Sequence, residues 1–188
     1  STLLRGVFAM IYTDGTKLLA SRDPIGVRPL FYCKLNDTGG MAFSSEMKSL
    51  LQFDKRVEVF PPGHIYDSTT DSFSCYYPCY WDTRTLPPLR SIRDVFTESV
   101  LTRVTNTDRP VAFLLSGGLD SSLVASVASR HVGPIKTFCI GAPDSTDAKA
   151  AERVARYIGS DHTRIDFDLD CATDVLSDVI KSLESYDT

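Results

Sequence analysis

A glycine- and serine-rich turn between an apolar run and a helical run constrains this chain more than any other feature. The turn is Ser116-Gly117-Gly118-Leu119-Asp120-Ser121-Ser122. It follows the apolar run Val111-Ala112-Phe113-Leu114-Leu115 and precedes a stretch from Leu123 to Ala128 that is typical of a helix. The pattern predicts a buried strand that passes through a tight turn into the first turn of a helix.

A turn of this composition at a helix start favours an anionic ligand. The first backbone N–H groups of a helix have no intrahelical acceptor, and the helix dipole makes that end positive. Two adjacent glycines let the backbone approach an anion closely. The serine hydroxyls add donors, and Asp120 can hold a divalent cation that bridges phosphate oxygens. The turn therefore predicts a nucleotide whose pyrophosphate lies on the loop; the alternative interpretation is a serine-rich helix cap with a glycine turn.

The turn differs from the two best-known phosphate loops. It has no lysine and no Gly-Lys-Ser/Thr ending, so it is not a Walker A loop, and its glycine spacing does not fit the dinucleotide fingerprint. It resembles the pyrophosphate loop of the ATP pyrophosphatases, whose signature is Ser-Gly-Gly-x-Asp-Ser-Ser. Those enzymes split ATP between the α- and β-phosphates and adenylate a substrate.

Composition and charge narrow the class of protein. The chain has 188 residues, 43% hydrophobic and 23% charged, which is ordinary for a globular protein. A net charge of −4 does not suggest a nucleic acid or an anionic membrane as partner, and no apolar run reaches the length of a membrane span. An odd number of scattered cysteines forms no disulfide framework, which favours a reducing, cytoplasmic location; they are Cys33, Cys75, Cys79, Cys139 and Cys171.

The order of predicted elements divides the chain into two parts. Residues 1–82 are rich in strands and hairpin turns, among them a turn at Asp14-Gly15. A short helix is predicted over residues 45–51. Residues 83–90 are polar and rich in proline, which predicts a linker. Residues 91–188 alternate helices and strands, which predicts an α/β fold with a doubly wound parallel sheet. Ser91 is predicted to cap the first of these helices, and Gly159 to end the helix over 147–158. In such sheets ligands bind beyond the carboxyl ends of the strands, where Ser116 and Gly141 are expected to lie.

Several segments together resemble the glutamine-dependent asparagine synthetases. In the first part, Arg22 to Tyr32 (RDPIGVRPLFY) resembles a segment of class II glutamine amidotransferases, and residues 45–50 (SEMKSL) and 60–63 (FPPG) match later parts of that domain. In the second part, the loop at 116–122, residues 138–141 (FCIG) and residues 147–151 (DAKAA) resemble the start of the synthetase domain. The resemblance covers nearly the whole chain in the family's order.

The resemblance implies a fold and a reaction. It implies an incomplete α+β N-terminal-nucleophile hydrolase sandwich, followed by an incomplete domain like the adenine nucleotide α hydrolases. The family hydrolyses glutamine in the first domain and passes ammonia to an aspartyl-adenylate in the second, so the implied small molecules are glutamine, aspartate, ATP and Mg²⁺. It leaves open a homodimer, or association with the missing segments.

The resemblance also implies roles for individual residues. Asp120 would hold Mg²⁺, Asp147 would lie near the ATP site, and Leu115 and Ile140 would contact adenosine beside Gly141. The pyrophosphate would be bound by Ser116, Gly117, Gly118, Leu119, Asp120, Ser121 and Ser122.

Three features depart from the family pattern. Arg5 stands where the family has the aspartate that binds the glutamine α-amino group, and its charge would repel that ammonium group. No residue here occupies the place of the family's N-terminal cysteine nucleophile, and Ser1 is not expected to replace it. The family's second acidic loop and catalytic lysine are also absent, so no complete catalytic set is predicted. The expectation is a fragment that does not make asparagine by itself.

Two other functions remain open at this stage. A non-catalytic nucleotide-binding module would retain the loop without glutamine hydrolysis, and Arg5 favours it slightly. A related amidotransferase ligase, such as a β-lactam-forming synthetase, would use another acceptor carboxylate. Among the remaining polar residues, Asp23 is predicted to cap the turn that follows it, because Asp-Pro and Gly dictate turn geometry.

Overall fold

The computed structural model describes residues 4, 6–35, 39–54, 56–77, 91–142, 144–166 and 169–185. The chain divides into two compact units, Ser1–Leu86 with Ser182–Thr188, and Pro87–Lys181. None of the helices in the described ranges is long and apolar enough to cross a membrane.

The first unit contains two antiparallel sheets. The first sheet has the order β1-β2-β6-β7 and the second the order β4-β3-β5. The predicted hairpin turn is confirmed, since the Asp14 carboxylate accepts hydrogen bonds from the backbone N–H groups of Thr16 and Lys17, and Gly15 has a φ of +93°. The strands are β1 (Ala9–Thr13), β2 (Leu18–Arg22), β3 (Phe31–Lys34), β4 (Met41–Ser44), β5 (Glu58–Val59), β6 (His64–Asp67) and β7 (Ser72–Cys75).

The two sheets share one apolar core. Ala20 and Tyr66 of the first sheet are buried in the same cluster as Phe60, with Tyr32 and Phe43 of the second sheet packed against it. The rings of this cluster meet at centroid distances of 5.0 to 6.1 Å in tilted and edge-to-face arrangements, as aromatic pairs prefer. The core therefore lies between the sheets.

One predicted element of this unit is wrong in kind. The helix expected over 45–51 is a single 3-10 turn, Met47–Ser49, and its cap residue Glu46 makes no side-chain cap hydrogen bond. Ser44 instead accepts a hydrogen bond from the Glu46 N–H at 3.1 Å. Starting a helix is unfavourable, and a segment of so few residues gains too few helical hydrogen bonds to offset that cost. It therefore forms only one turn.

The second unit has a three-stranded parallel sheet with the order β10-β9-β8. Parallel pairing follows from the helices that join successive strands. The predicted caps at Ser91 and Gly159 are confirmed. Its elements are α1 (Ile92–Thr105), β8 (Ala112–Leu114), α2 (Leu119–Val132), β9 (Lys136–Gly141), α3 (Thr146–Ile158), β10 (Asp161–Asp166) and α4 (Leu169–Leu183).

Helices α2 and α3 pack on one face of this sheet. Ala125 of α2 and Ala151 of α3 are buried with Leu115 and Cys139 in one cluster. Small alanines allow the helices to approach the strands closely. The side chains that alternate to the other face are exposed, for example Leu114 and Ile140. The predicted α/β class with a parallel sheet is confirmed.

Candidate functional site

The glycine-rich loop begins where the β8 strand reaches the carboxyl edge of the parallel sheet. The Leu115 N–H donates to the Phe138 carbonyl at 2.7 Å, which continues the pairing of β8 with β9. Leu114 is in register with Phe138, so two further residues bring Ser116 level with Ile140. The two segments that the sequence predicted at this edge are therefore neighbours.

Two serine side chains hold the loop in a closed shape. The hydroxyl groups of Ser116 and Ser121 are 3.0 Å apart, and the Ser121 hydroxyl also accepts from the Ser116 N–H at 3.2 Å. The Ser116 hydroxyl accepts from the Gly118 N–H at 3.3 Å. The loop is thus ordered by its own side chains before any ligand is present, which is what a preorganised anion site needs.

Gly117 brings the loop against helix α3. Its φ is +75°, in the left-handed region that favours glycine. A Cβ at this position would lie 2.5 Å from both the Ala150 Cβ and the Ala151 backbone nitrogen. No larger residue fits there without moving the loop or the helix, and the motif needs its first glycine for this contact.

The first turn of α2 presents its N–H groups beyond the loop. Gly118 is the N-cap residue of α2, and no side chain of the described residues caps this helix. The first backbone hydrogen bond of the helix runs from the Ser122 N–H to the Gly118 carbonyl. The N–H groups of Leu119, Asp120 and Ser121 therefore have no intrahelical acceptor. The Leu119 side chain is 80% exposed and the Asp120 side chain is exposed, so this turn is open to solvent.

Ser122 differs from the other serines of the motif. Its hydroxyl oxygen is buried and has no hydrogen-bond partner among the described residues. A buried polar atom without a partner costs free energy. A phosphate oxygen bound at the first turn of α2 would bring a hydrogen-bonding group close to this atom, so the residues present fit an anion here.

A second loop reaches the same edge between β9 and α3. Gly141 is buried, and a Cβ on it would lie 3.2 Å from Ser145, so glycine lets the start of α3 approach β9. The Ser145 hydroxyl accepts from the Ala148 N–H and caps α3. Asp147 is exposed in the first turn of this helix. Because residues three and four positions apart share a helix face, Asp147 lies on the face whose Ala150 and Ala151 meet Gly117.

Arg164 is a residue at this edge that the sequence reasoning missed. Its guanidinium donates to Asp166 at 2.6 Å, to Glu152 at 3.1 Å and to the Ala142 carbonyl at 3.3 Å. Its hydrogen bonds to Asp166 and Glu152 raise the pKa of Arg164. It therefore ties β10 to α3 and to the residue that follows Gly141. No spacing in the sequence indicates this contact, because its partners lie 2, 12 and 22 residues away.

The two residues predicted to contact adenosine lie in opposite environments. Ile140 is 60% exposed, on the sheet face away from α2 and α3. The Leu115 side chain is 1% exposed and belongs to the core. Only the Leu115 backbone is left to meet a ligand, whereas Ile140 offers its side chain.

In the first unit, Asp23 organises the loop that resembles the amidotransferase segment. The carboxylate is 1% exposed and accepts five backbone N–H groups at 2.7 to 3.3 Å, from Phe8, Ile25, Gly26, Val27 and Arg28. Burial raises the pKa of Asp23, but the N–H groups of residues 25–28 outweigh it and hold the pKa below its ordinary value. The predicted turn-capping role is confirmed.

Arg22 completes this loop from the other side. Its guanidinium donates to the carbonyls of Gly26, Arg28 and Phe60, each at 2.7 Å. Arg22 and Asp23 thus satisfy backbone groups, and their chemistry is structural. Arg5, predicted beside the glutamine position, lies outside the described residues, although the Asp23 carboxylate reaches Phe8 at the start of β1.

A buried polar cluster lies under α3 but away from the loop. Thr137 is fully buried, and its hydroxyl lies 2.8 Å from both Ser160 and the His162 Nδ1. The Cys139 Sγ lies 3.4 Å from the His162 Nε2, and burial raises the pKa of this thiol. A protonated buried thiol is a core group. In the described ranges no three His, Cys, Asp or Glu side chains form a group that could hold a metal ion.

Comparison with known proteins adds an independent finding. Residues 91–188 match the asparagine synthase family model, and residues 2–52 match the model of a glutamine amidotransferase domain. Over 98% of its length the chain is 41% identical to a glutamine-hydrolyzing asparagine synthetase of Zea mays and 39% identical to a probable one of Dictyostelium discoideum. It covers 34% and 37% of those proteins, so it spans about a third of the length of the curated relatives it matches.

A solved structure is also similar in part. The NH3-dependent NAD synthetase of Campylobacter jejuni, in complex with the nitrate ion, superposes with a TM-score of 0.36 and 22% identity over 50% of this chain and 40% of that chain. A likeness of that size carries no structural conclusion.

Proposed function

This chain belongs to the asparagine synthase family, and on that premise we propose that it is a segment of an ATP-dependent amide-forming ligase. The proposed reaction of the whole protein converts aspartate, glutamine, ATP and water into asparagine, glutamate, AMP and pyrophosphate. The observation that carries the proposal is the serine-closed loop at the head of α2, with Gly117 pressed against α3. A loop of this shape suits an anion, and its sequence resembles the signature of a pyrophosphate loop.

In this proposal the loop binds the β- and γ-phosphates of ATP. The N–H groups of Leu119, Asp120 and Ser121 donate to phosphate oxygens, because they have no other acceptor. The Ser116 and Ser121 hydroxyls form further hydrogen bonds to the same anion in this proposal. Gly117, Gly118 and Ser122 complete the cradle. The nucleoside lies beyond the strand edge, near Ile140, Gly141 and the backbone of Leu115.

Asp120 is the proposed magnesium residue. Mg²⁺ in nucleotide sites is commonly held by one or two carboxylates together with phosphate oxygens and water. A single exposed carboxylate in the first turn of α2 fits that pattern, with Asp147 as a second acidic group near the ATP. When bound, the ion would neutralise the charge that builds on the leaving pyrophosphate.

The chemical step places most demand on the loop donors. A carboxylate oxygen of the acceptor attacks the α-phosphorus, the bond to the β-phosphate oxygen breaks, and pyrophosphate leaves with the electron pair. Negative charge therefore accumulates on the oxygens that face the first turn of α2. Fixed N–H dipoles at that position stabilise the charge without reorganising.

The first unit carries the proposed glutamine-hydrolysing part, with an N-terminal-nucleophile hydrolase architecture, and residues 83–90 form the proposed linker. The second unit is proposed to belong to a doubly wound sheet like the adenine nucleotide α hydrolases. Arg5 is a specific reason to retain a second candidate, a nucleotide-binding module without glutamine hydrolysis. We place the protein in the cytoplasm and leave its association, as a homodimer or with further segments, to experiment.

The experiment compares ligands and matched serine variants. Mg²⁺–ATP, Mg²⁺–pyrophosphate and AMP are titrated into the chain and into two variants, Ser121→Ala and the control Ser129→Ala, by calorimetry. Ser129 lies on the same helix, and its hydroxyl donates to the Ser126 carbonyl of its own turn. We expect ATP and pyrophosphate to bind and AMP to bind more weakly. Ser121→Ala should lower the affinity for ATP, whereas Ser129→Ala should leave it unchanged. Equal binding of AMP and ATP, or an unaffected Ser121→Ala variant, would contradict the proposal.

A further inference from the structure

A polar cavity in the first unit lies at the opposite end of β3 from the Asp23 loop. Its volume is about 420 Å³, and its walls come from both sheets. Tyr32 and Lys34 of β3 line it on one side and Tyr66 of β6 on the other. A volume in this range is that of small-molecule sites, about 300 to 1,000 Å³.

Two tyrosine hydroxyls fix the carboxylates of this cavity. Tyr66 is 4% exposed and donates to the Asp71 Oδ1 at 2.9 Å, while Tyr32 donates to the Glu58 Oε2 at 2.7 Å. Burial, followed by these carboxylates, raises the pKa of both tyrosines to about 12. The phenols therefore stay protonated and remain donors at any physiological pH, so the carboxylates are held in defined positions.

The two basic side chains that line the cavity, Lys34 and Arg56, differ in whether they form an ion pair. Lys34 and Asp71 form an ion pair at 3.3 Å. Arg56, by contrast, forms no ion pair within the described residues, and its backbone N–H donates to the Asp54 carboxylate at 2.8 Å. Arg56, Asp54 and Glu58 all line the cavity, so it combines one guanidinium residue that is not ion-paired within the described ranges with two acidic residues. A ligand that carries both a carboxylate and an ammonium group would satisfy both signs.

We propose that this cavity binds a free α-amino acid. The α-carboxylate pairs with Arg56, since a guanidinium matches a carboxylate with two parallel hydrogen bonds. The α-ammonium group lies against Glu58 and Asp54, and the side chain rests on the apolar wall of Met41 and Phe73. All of these residues belong to the first unit, so the inference goes beyond the nucleotide site and does not rest on it.

The test uses the whole 188-residue chain and defined probes. L-Glutamine, L-asparagine and L-aspartate are titrated by NMR or calorimetry, with acetate and methylammonium as half-ligands that carry one charge each. At least one amino acid should bind more tightly than either half-ligand. If no amino acid binds, or if methylammonium binds as tightly as the best amino acid, the proposal is wrong.

Variants of Arg56 locate the binding. Arg56→Met should lower the affinity for the amino acid at least about tenfold, which corresponds to about 1.4 kcal/mol. Arg56→Lys should recover part of this affinity. Arg109→Met is the control, because Arg109 is exposed in the second unit and pairs only with its neighbour Asp108 among the described residues. Binding to Arg56→Met as tight as to the wild type would overturn the proposal.

Two further readouts keep the outcomes separate. Labelling of Cys33, which is 1% exposed and lines the cavity, reports whether the Arg56 variants keep this unit folded. Mg²⁺–ATP titrated into the same samples reports on the second unit. Loss of amino-acid binding with ATP binding intact therefore concerns the cavity alone, and the reverse result concerns the nucleotide site alone.

Discussion

Gly117 meets Ala150 so closely that a Cβ on the glycine would lie 2.5 Å from the Cβ of the alanine. The contact joins the glycine-rich loop to α3. It makes Gly117→Ala a severe change, because the variant combines this overlap with a φ of +75°. We expect weaker ATP binding and a less stable second unit, measured by calorimetry and by the labelling rate of buried Cys139.

Gly133→Ala is the matched control for that variant. Gly133 ends α2 with a φ of +85°, but a Cβ there would meet no atom within 4 Å. With a ψ of −155°, this conformation is one that residues other than glycine rarely adopt, so the alanine should cost about 1 to 3 kcal/mol of backbone strain and leave ATP affinity unchanged. Equal loss of ATP binding in both variants would show that backbone strain, and not the α3 contact, governs the loop.

Asp23→Asn should destabilise the first unit. The amide keeps the shape of the side chain but removes the charge and turns one acceptor into a donor that faces N–H groups. Hydrogen bonds to charged groups contribute about 1.5 to 3 kcal/mol each, so we expect a loss of about 2 kcal/mol or more. Labelling of Cys33 at pH 7, resolved by mass spectrometry, should become faster while labelling of Cys139 stays the same.

The same carboxylate predicts a pH dependence. The pKa of Asp23 in the folded chain lies below its unfolded value, so its stabilisation is complete above the unfolded pKa and is lost as pH falls through the folded pKa. The difference in Cys33 protection between wild type and Asp23→Asn should shrink as pH is lowered through the acidic range. If the difference in Cys33 protection grew as the pH was lowered, the predicted direction of the pH dependence would be wrong. Asp94→Asn, which changes an exposed aspartate, is the control.

Arg164→Met tests whether the guanidinium positions the loop after β9. The variant loses the hydrogen bond to the Ala142 carbonyl and both carboxylate contacts. We expect ATP affinity to fall several-fold, Arg164→Lys to recover part of it, and Arg156→Met, an exposed change in the last turn of α3, to have no effect. If Arg164→Met only accelerates Cys139 labelling and leaves ATP affinity unchanged, the arginine is structural.

Local chemistry made much of the fold predictable from sequence. The Asp14-Gly15 hairpin, the Ser91 cap and the Asp23 turn each depend on residues within a few positions of one another, so the pattern carries the structure. The alternation of helices and strands after residue 91 likewise predicted the parallel sheet. The 3-10 turn at 47–49 was missed because a few residues cannot show whether a second turn will form.

Contacts between distant residues could not be predicted. The three partners of Arg164 meet only because β9, β10 and α3 pack together, and the cavity around Tyr32 and Tyr66 depends on two sheets facing each other. The motif residues were identifiable, yet the burial of Leu115 and the exposure of Ile140 depend on which face of the sheet α2 and α3 cover.

The most direct test of the proposed pyrophosphate loop is a calorimetric titration of Mg²⁺–ATP into the chain beside Asp120→Asn and Asp94→Asn. Both aspartates are exposed acids in the first turn of a helix, of α2 and of α1, and differ in whether the loop precedes them. The account predicts that Asp120→Asn weakens binding at least about tenfold and that Asp94→Asn binds like the wild type. Wild-type affinity in Asp120→Asn, or no binding by a folded wild-type chain, would contradict it.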